Sequence, residues 1–355
     1  MKSLDDLLPA RDIVRHRRKY FIGQLDPAAS IEFSRGCPWD CVFCSAWTFY
    51  GRNYRVRDTG ARGRGTGTSS RAGNFIVDDV AFIQAEHGMQ LGEAIARRGI
   101  RKRYYLETRG DVLLRNKKVF ELWKRLGLNT MFLGLEAIDE EGLKRYRKRI
   151  TLSKNFEALK YARSLDINVA VNIIADPSWD RERFKVVRDW CLEVPGSLIS
   201  ALIRRIPARK PGIPNRVVLR PATTGCSTSS TRCCRPELPL PEFYKELVEC
   251  QRVLARKNLG WAALGQCAGI VIRKLLCGQT NFIRMLWKFN SVYRPELQLA
   301  DHRRRVKYEI SLPPPSVATA QHGRLYIHEN RGRNGRQIDH RTEEFVNATR
   351  MGTAS

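Results

Sequence analysis

The sequence predicts an α/β fold: a parallel sheet or barrel of alternating strands and helices, followed by a mainly α-helical C-terminal region. Three observations carry this. Strand-length apolar runs alternate with helix-period segments of about 10 to 15 residues through the first two hundred residues. Each strand candidate is nearly continuous in apolar residues, as when both faces are buried. Polar residues gather at the C-terminal ends of those runs, the functional rim of parallel βα architectures.

Residues 1–30 are a polar, basic lead-in. SIEFSRG is the first strand candidate, and NFIVDDVAF is a buried strand ending in two carboxylates. LGEAIARRG is a helix closed by Gly99, and RKRYYLETRGD a strand ending in polar groups. NKKVFELWKRLG is a helix closed by Gly127; glycine at this place supplies the left-handed cap. TMFLGLEAID is a strand, EEGLKRYRKRI and SKNFEALKYARSLD are helices, INVAVNIIAD is a strand and RERFKVVRDWCLEV a helix. From residue 237 the apolar spacing is helical, and a Pro-rich polar tail begins near residue 311. The domains are therefore expected at 1–30, 31–236 and 237–355.

Two stretches break the rhythm. Residues 59–72 and 197–236 lack a usable apolar period, are rich in Arg, Gly, Pro, Ser and Thr, and contain no acid. A structureless loop of such length inside a domain argues against a plain loop. We read both as out-of-frame, disordered translation. One codon choice for 59–72, shifted by a base, encodes PERVAEELAQAVVP, an acidic amphipathic helix with a Pro-Glu opening where the βα rhythm needs a helix. The second stretch behaves alike, so Cys226, Cys233 and Cys234 are not expected to form a metal site. The chain is expected to be impaired as written, because a lost barrel helix and strand expose core.

The formal net charge is +27 over 355 residues. Taken whole, it suggests nucleic acid or an anionic membrane. The two odd stretches contribute eleven of those charges. Restored peptides would leave roughly +12, which weakens the case for nucleic acid. There is no secretory signal and no run of about 18 apolar residues, so a cytoplasmic location is expected, with contact at the inner-membrane surface as an extension. Cys191, Cys250, Cys267 and Cys277 fall on apolar helical faces and read as packing. His16, in VRHRRK, reads as a basic surface residue.

The motif that carries chemistry is RGCPWDCVFC. Cys37, Cys41 and Cys44 stand in C-x3-C-x2-C spacing with Phe43 before the last cysteine. Three thiolates on one loop can hold three irons of a [4Fe–4S] cluster. A zinc knuckle or three free thiols is the other reading, and zinc would want a fourth Cys or His nearby, which the flanking residues do not supply.

The motif resembles that of the radical SAM superfamily, which implies a partial (βα)6 TIM-like barrel. In that superfamily S-adenosylmethionine chelates the open iron and is cleaved reductively to a 5′-deoxyadenosyl radical. The resemblance implies cofactor-binding roles for Phe43, Asp78, Asp79, Glu107, Arg109, Glu136 and Asn172 at the strand ends. The stretches SIEFSRGCPWDCVFCSAWTFYGRNYRVR, FIVDDVAFIQAEHGM, YYLETRGDVLLRN, MFLGLEAIDEEGLKRYRKRI and MLWKFNSVYRPELQLADHRR are similar to the hopanoid C-3 methylase family of cobalamin-dependent methyltransferases. This covers about residues 10–355 apart from the odd stretches. It implies methylation of a hopanoid lipid at carbon 3, a methyl group delivered from cobalamin, and a ferredoxin or flavodoxin reductant. Two alternatives stand beside it: another radical SAM activity such as methylthiolation or rearrangement, and a basic zinc-knuckle protein that binds nucleic acid. Family members carry an N-terminal cobalamin-binding domain, and no D-x-H-x-x-G stretch occurs in this sequence.

Overall fold

The computed structural model describes residues 20–22, 25–44, 46–57, 73–194, 198–204, 237–258 and 261–303. Strand β1 (Ala28–Ile31) opens the chain, and a small hairpin, β2 (Ser34–Arg35) with β3 (Arg55–Val56), encloses the cysteine loop and helix α1 (Ala46–Tyr50). The alternating series follows: β4 (Gly73–Ile76), α2 (Ala85–Arg97), β5 (Arg103–Thr108), α3 (Gly110–Arg115) and α4 (Lys117–Leu126). Then come β6 (Leu128–Glu136), α5 (Glu140–Arg145), α6 (Leu152–Ser164), β7 (Asn168–Ile174), α7 (Arg181–Glu193) and β8 (Leu198–Arg204). Helices α8 (Leu240–Asn258), α9 (Trp261–Leu276), α10 (Asn281–Val292) and α11 (Pro295–Arg303) complete the described chain. The sheet runs β1-β4-β5-β6-β7-β8 with every pair parallel, and β1 and β8 stand at opposite edges. This open six-stranded parallel sheet with its helices is the partial (βα)6 architecture that the resemblance implied.

Alternation along each strand divides its side chains between two layers. Ile76, Tyr104, Leu106, Met131, Leu133, Val169, Val171 and Ile173 pack against the helices in one core with Leu91, Ile95, Phe120, Trp123, Leu159 and Phe184. Trp123 sits at its centre, 5.1 Å from the Tyr104 ring and 4.7 Å from Phe82, with its Nε1 donating to Gly88 O at 3.0 Å. Gly88 and Gly92 allow this approach: a Cβ on either would lie 2.8 Å from Val119 or 2.7 Å from Leu122. The other sheet face carries Phe75, Tyr105, Glu107, Phe132, Gly134, Ala170 and Asn172, in register across neighbouring strands.

Local chemistry sets the helix ends. Asp139, Thr151 and Asp180 cap α5, α6 and α7 by accepting from Gly142 N, Lys154 N and Arg183 N, which satisfies amides with no intrahelical partner. Gly127 ends α4 at φ 110, as expected.

Three expectations are corrected. The segment EEGLKRYRKRI is helical only to Arg145; Arg147 and Arg149 take left-handed φ of 51 and 55, so RKRI is a loop. Gly110 and Asp111, expected at the end of the strand RKRYYLETRGD, instead open α3, which runs to Arg115. The second odd stretch is not disordered throughout. LISALIR supplies enough β-branched and apolar residues to pair as β8 with β7 from Val169 to Ile174. Residues 59–72 and 205–236 lie outside the described residues, as do His16, Cys226, Cys233 and Cys234. Helix α8 packs on α7 and β8, so the C-terminal helices begin within the barrel's own shell.

Candidate cluster and S-adenosylmethionine site

The cysteine loop leaves the C-terminal end of β1 and returns through β3. Its shape is set by a close crossing. Gly36 has φ +98, and a Cβ there would lie 2.0 Å from Asn53 O. Within the loop, Cys44 N donates to Cys41 O at 3.1 Å and Trp47 Nε1 to the same oxygen at 2.8 Å. Val42 N donates to Tyr146 O at 3.2 Å, and the Phe43 ring meets Tyr146 edge-on at 5.9 Å. The buried Asp40 pairs with Arg149 at 2.9 Å. The RKRI loop thus braces the cysteine loop from the far side.

Cys37, Cys41 and Cys44 are free thiols, the first two buried and the third half-buried. Burial pushes the Cys37 thiol up to about 11 and raises Cys44, with the neighbouring cysteines adding to the effect. Coordination reverses that tendency, since a metal-bound thiol is deprotonated outright. Among the described residues no three His, Cys, Asp or Glu are placed to hold a single metal ion. A donor set of three cysteine sulfurs on one loop fits an iron–sulfur cluster, in which each thiolate takes its own iron.

Arg109, just past β5, stands against this loop. It is 4% exposed, with Nη1 3.7 Å from Cys41 Sγ and the guanidinium 4.2 Å above the Trp39 ring. It pairs with Asp111 at 2.9 Å and donates to Lys148 O at 2.6 Å. This puts a positive charge beside the Cys41 sulfur.

Glu136 ends β6 at φ 72 and is buried in an ion pair with Lys148 at 3.1 Å, beneath the Phe43 ring. Asn172 on β7 donates to Glu136 Oε2, and its own Oδ1 is buried with no hydrogen-bond partner among the described residues. That acceptor suits an amine or hydroxyl of a bound molecule. Gly134 makes the room: a Cβ there would lie 2.5 Å from Glu136 Oε1 and 2.9 Å from Lys148 Nζ. Glu107, half-buried, shares this sheet face through its register with Phe132.

The structure thus brings together Cys37, Cys41, Cys44, Phe43, Arg109, Glu136 and Asn172. Asp78 and Asp79 stand at the entry to the same loop, each bound to its backbone. Asp78 accepts from Phe33 N at 2.8 Å and Ser34 Oγ, and Asp79 accepts from Gly36 N at 2.8 Å. Both carboxylates anchor the entry to the cysteine loop. Lys148, Trp39, Asp40 and Gly36 were not singled out in the sequence.

Burial pushes the Asp78 carboxyl up to about 7, although both hydrogen bonds favour its charged form. The folded state then holds this proton more tightly than the unfolded chain, whose carboxyl keeps the ordinary value of 3.8. The stabilisation is complete below that value and is lost as pH rises through about 7. The urea midpoint should therefore fall between pH 5 and pH 8, and Asp78→Asn should flatten that slope. Equal slopes in both proteins would refute the assignment.

The profile of the radical SAM superfamily matches residues 31–191. The hopanoid C-3 methylase of Methylococcus capsulatus is 57% identical over 354 residues, covering 99% of this chain and 69% of that protein. The chain belongs to the radical SAM superfamily, in the hopanoid C-3 methylase family. Other members are more distant. The anaerobic magnesium-protoporphyrin IX monomethyl ester cyclase of Rubrivivax gelatinosus is 27% identical, over 54% of this chain and 36% of its own. The solved cobalamin-dependent S-adenosylmethionine radical enzyme OxsB aligns at 19% identity and TM-score 0.39, over 45% of this chain and 26% of its own. Membership makes the chain a radical SAM methyltransferase whose family cofactors are a [4Fe–4S] cluster, S-adenosylmethionine and cobalamin. The described residues fit the first two groups. For cobalamin they supply no D-x-H-x-x-G, and His87 lies on α2 with Nε2 2.9 Å from Arg57 O.

Proposed function

We propose that this chain methylates a hopanoid lipid at carbon 3, in the cytoplasm and against the inner membrane. The observation that carries the reading is 57% identity across 99% of the chain to the hopanoid C-3 methylase. Cys37, Cys41 and Cys44 would hold the cluster. A cluster held there would supply the electron for reductive cleavage of S-adenosylmethionine. Arg109 holds positive charge beside Cys41 and fixes the RKRI loop through Lys148 O. Glu136 and Asn172 present a carboxylate and an unsatisfied amide oxygen to the amine and hydroxyls of S-adenosylmethionine, and Glu107 adds a second carboxylate on the same sheet face. Asp78 and Asp79 keep the loop's entry in place. A low-potential ferredoxin or flavodoxin would supply electrons, and cobalamin the methyl group.

The test is anaerobic reconstitution with iron and sulfide, followed by reduction with S-adenosylmethionine, methylcobalamin and a hopanoid. The expected result is about four irons per chain, reductive cleavage of S-adenosylmethionine and a 3-methylated product. Cys41→Ala should abolish all three. A second form, with PERVAEELAQAVVP at 59–72 and the second stretch restored to frame, should be more active than the chain as written. Reductive cleavage by the restored form with the hopanoid unchanged would sink the substrate assignment. Binding of a single zinc would sink the whole reading.

A further inference from the structure

Helix α9 shows solvent the stripe that a helix ordinarily buries. Trp261 is 91% exposed and Leu276 84%, and Leu264, Gly265, Ala268, Ile272 and Leu275 are exposed between them. These positions recur at steps of three and four residues, which is one line along an α-helix. On α10, Leu286 and Trp287 are exposed as well, the latter by 77%. Contiguous exposed apolar side chains of this size mark an interaction surface.

The charges beside the stripe are of one sign. Neither α9 nor α10 contains Asp or Glu, while Arg273, Arg284 and Lys288 are exposed on them. Lys274 on α9 is used otherwise. Its Nζ donates to Asp26 O and to Gln279 Oε1, each at 2.9 Å, and so ties the helix to the segment before β1.

We propose that the α9–α10 face docks on an anionic lipid bilayer, lying in its interface. Trp and Leu would enter the boundary between headgroups and acyl chains, and Arg273 and Arg284 would meet acidic headgroups. A symmetric contact between two copies would set these cations near their own counterparts with no acid on either helix to pair them. No described helix is long and apolar enough to cross a membrane. The proposal deepens the hopanoid reading, because a lipid substrate is reached from a bilayer. The surface itself is argued without that reading.

The experiment is co-sedimentation of the full chain with hopanoid-free vesicles, either phosphatidylcholine alone or phosphatidylcholine with phosphatidylglycerol. Partitioning should be at least about tenfold greater on the anionic vesicles and should weaken with salt. Tryptophan emission should shift to the blue on binding. The combined variant Trp261→Ser, Leu276→Ser, Trp287→Ser should lose binding while keeping its circular dichroism spectrum. Arg273→Gln with Arg284→Gln should lose only the preference for anionic vesicles. Absence of sedimentation overturns the proposal, and so does a solution dimer that the triple-serine variant splits. Vesicle binding, together with a restored form that cleaves S-adenosylmethionine and leaves the hopanoid unchanged, would remove the substrate reading and leave this surface standing.

Discussion

Replacing Gly36 with alanine should leave the sheet folded and strip the cysteine loop of its cluster. The new Cβ would lie 2.0 Å from Asn53 O, a backbone atom two residues before β3. It would also impose φ +98 on a residue with a side chain, a strain of about 1 to 3 kcal/mol before the overlap is counted. The crossing can be relieved only by opening the hairpin, and Cys37 is the next residue. Asp79 would lose its grip on the Gly36 amide as the loop moved. The sheet strands pair elsewhere, so the helical dichroism spectrum should persist. Iron content after reconstitution should drop from about four per chain to below one. Gly99→Ala is the matched control: its φ is +62, with nothing within 4 Å of the added Cβ. It tests left-handed strain without a clash and should load iron normally. A Gly36→Ala protein that reconstitutes like Gly99→Ala would show that the crossing does not shape the site.

What the sequence revealed depended on how far apart the partners lie. The cysteine spacing was legible because the three ligands share one loop. The strands were legible because burial on both faces writes an apolar run, and the end of α4 because Gly127 closes its helical pattern. The roles of Asp78 and Asp79 were not, since their partners lie 45 and 43 residues upstream. The same holds for Arg109, whose contact with Cys41 spans 68 residues. Such contacts exist only once parallel strands bring successive loops to one rim. The RKRI loop was misread because it follows a helix without a break in composition. Only the left-handed Arg147 and Arg149 mark the turn, and they leave no glycine as a sign. Strand β8 was missed because its flanking arginines and the unpatterned sequence after it masked a short β-branched core.

Removing the Lys148 charge should be the most destabilising single change at the site that spares the cysteines. Lys148 and Glu136 are 6% and 5% exposed and 3.1 Å apart. A pair so placed gains little net stability over apolar residues, because desolvation offsets attraction. Breaking it on one side is different, since the remaining charge stays buried and uncompensated. Lys148→Met should therefore cost about 3 to 5 kcal/mol in urea unfolding. Glu136 cannot swing out to water to escape, because Asn172 holds its Oε2 and its backbone is fixed at φ 72. The double variant Lys148→Met, Glu136→Gln removes both charges and should recover most of that loss. Its amide can still bond Asn172, whose free Oδ1 is a ready acceptor. The recovered protein should nonetheless bind S-adenosylmethionine more weakly, because the carboxylate offered to the amine is gone. Stability restored with affinity unchanged would confine Glu136 to a structural role. Stability not restored would mean that the pair is held by more than its charges.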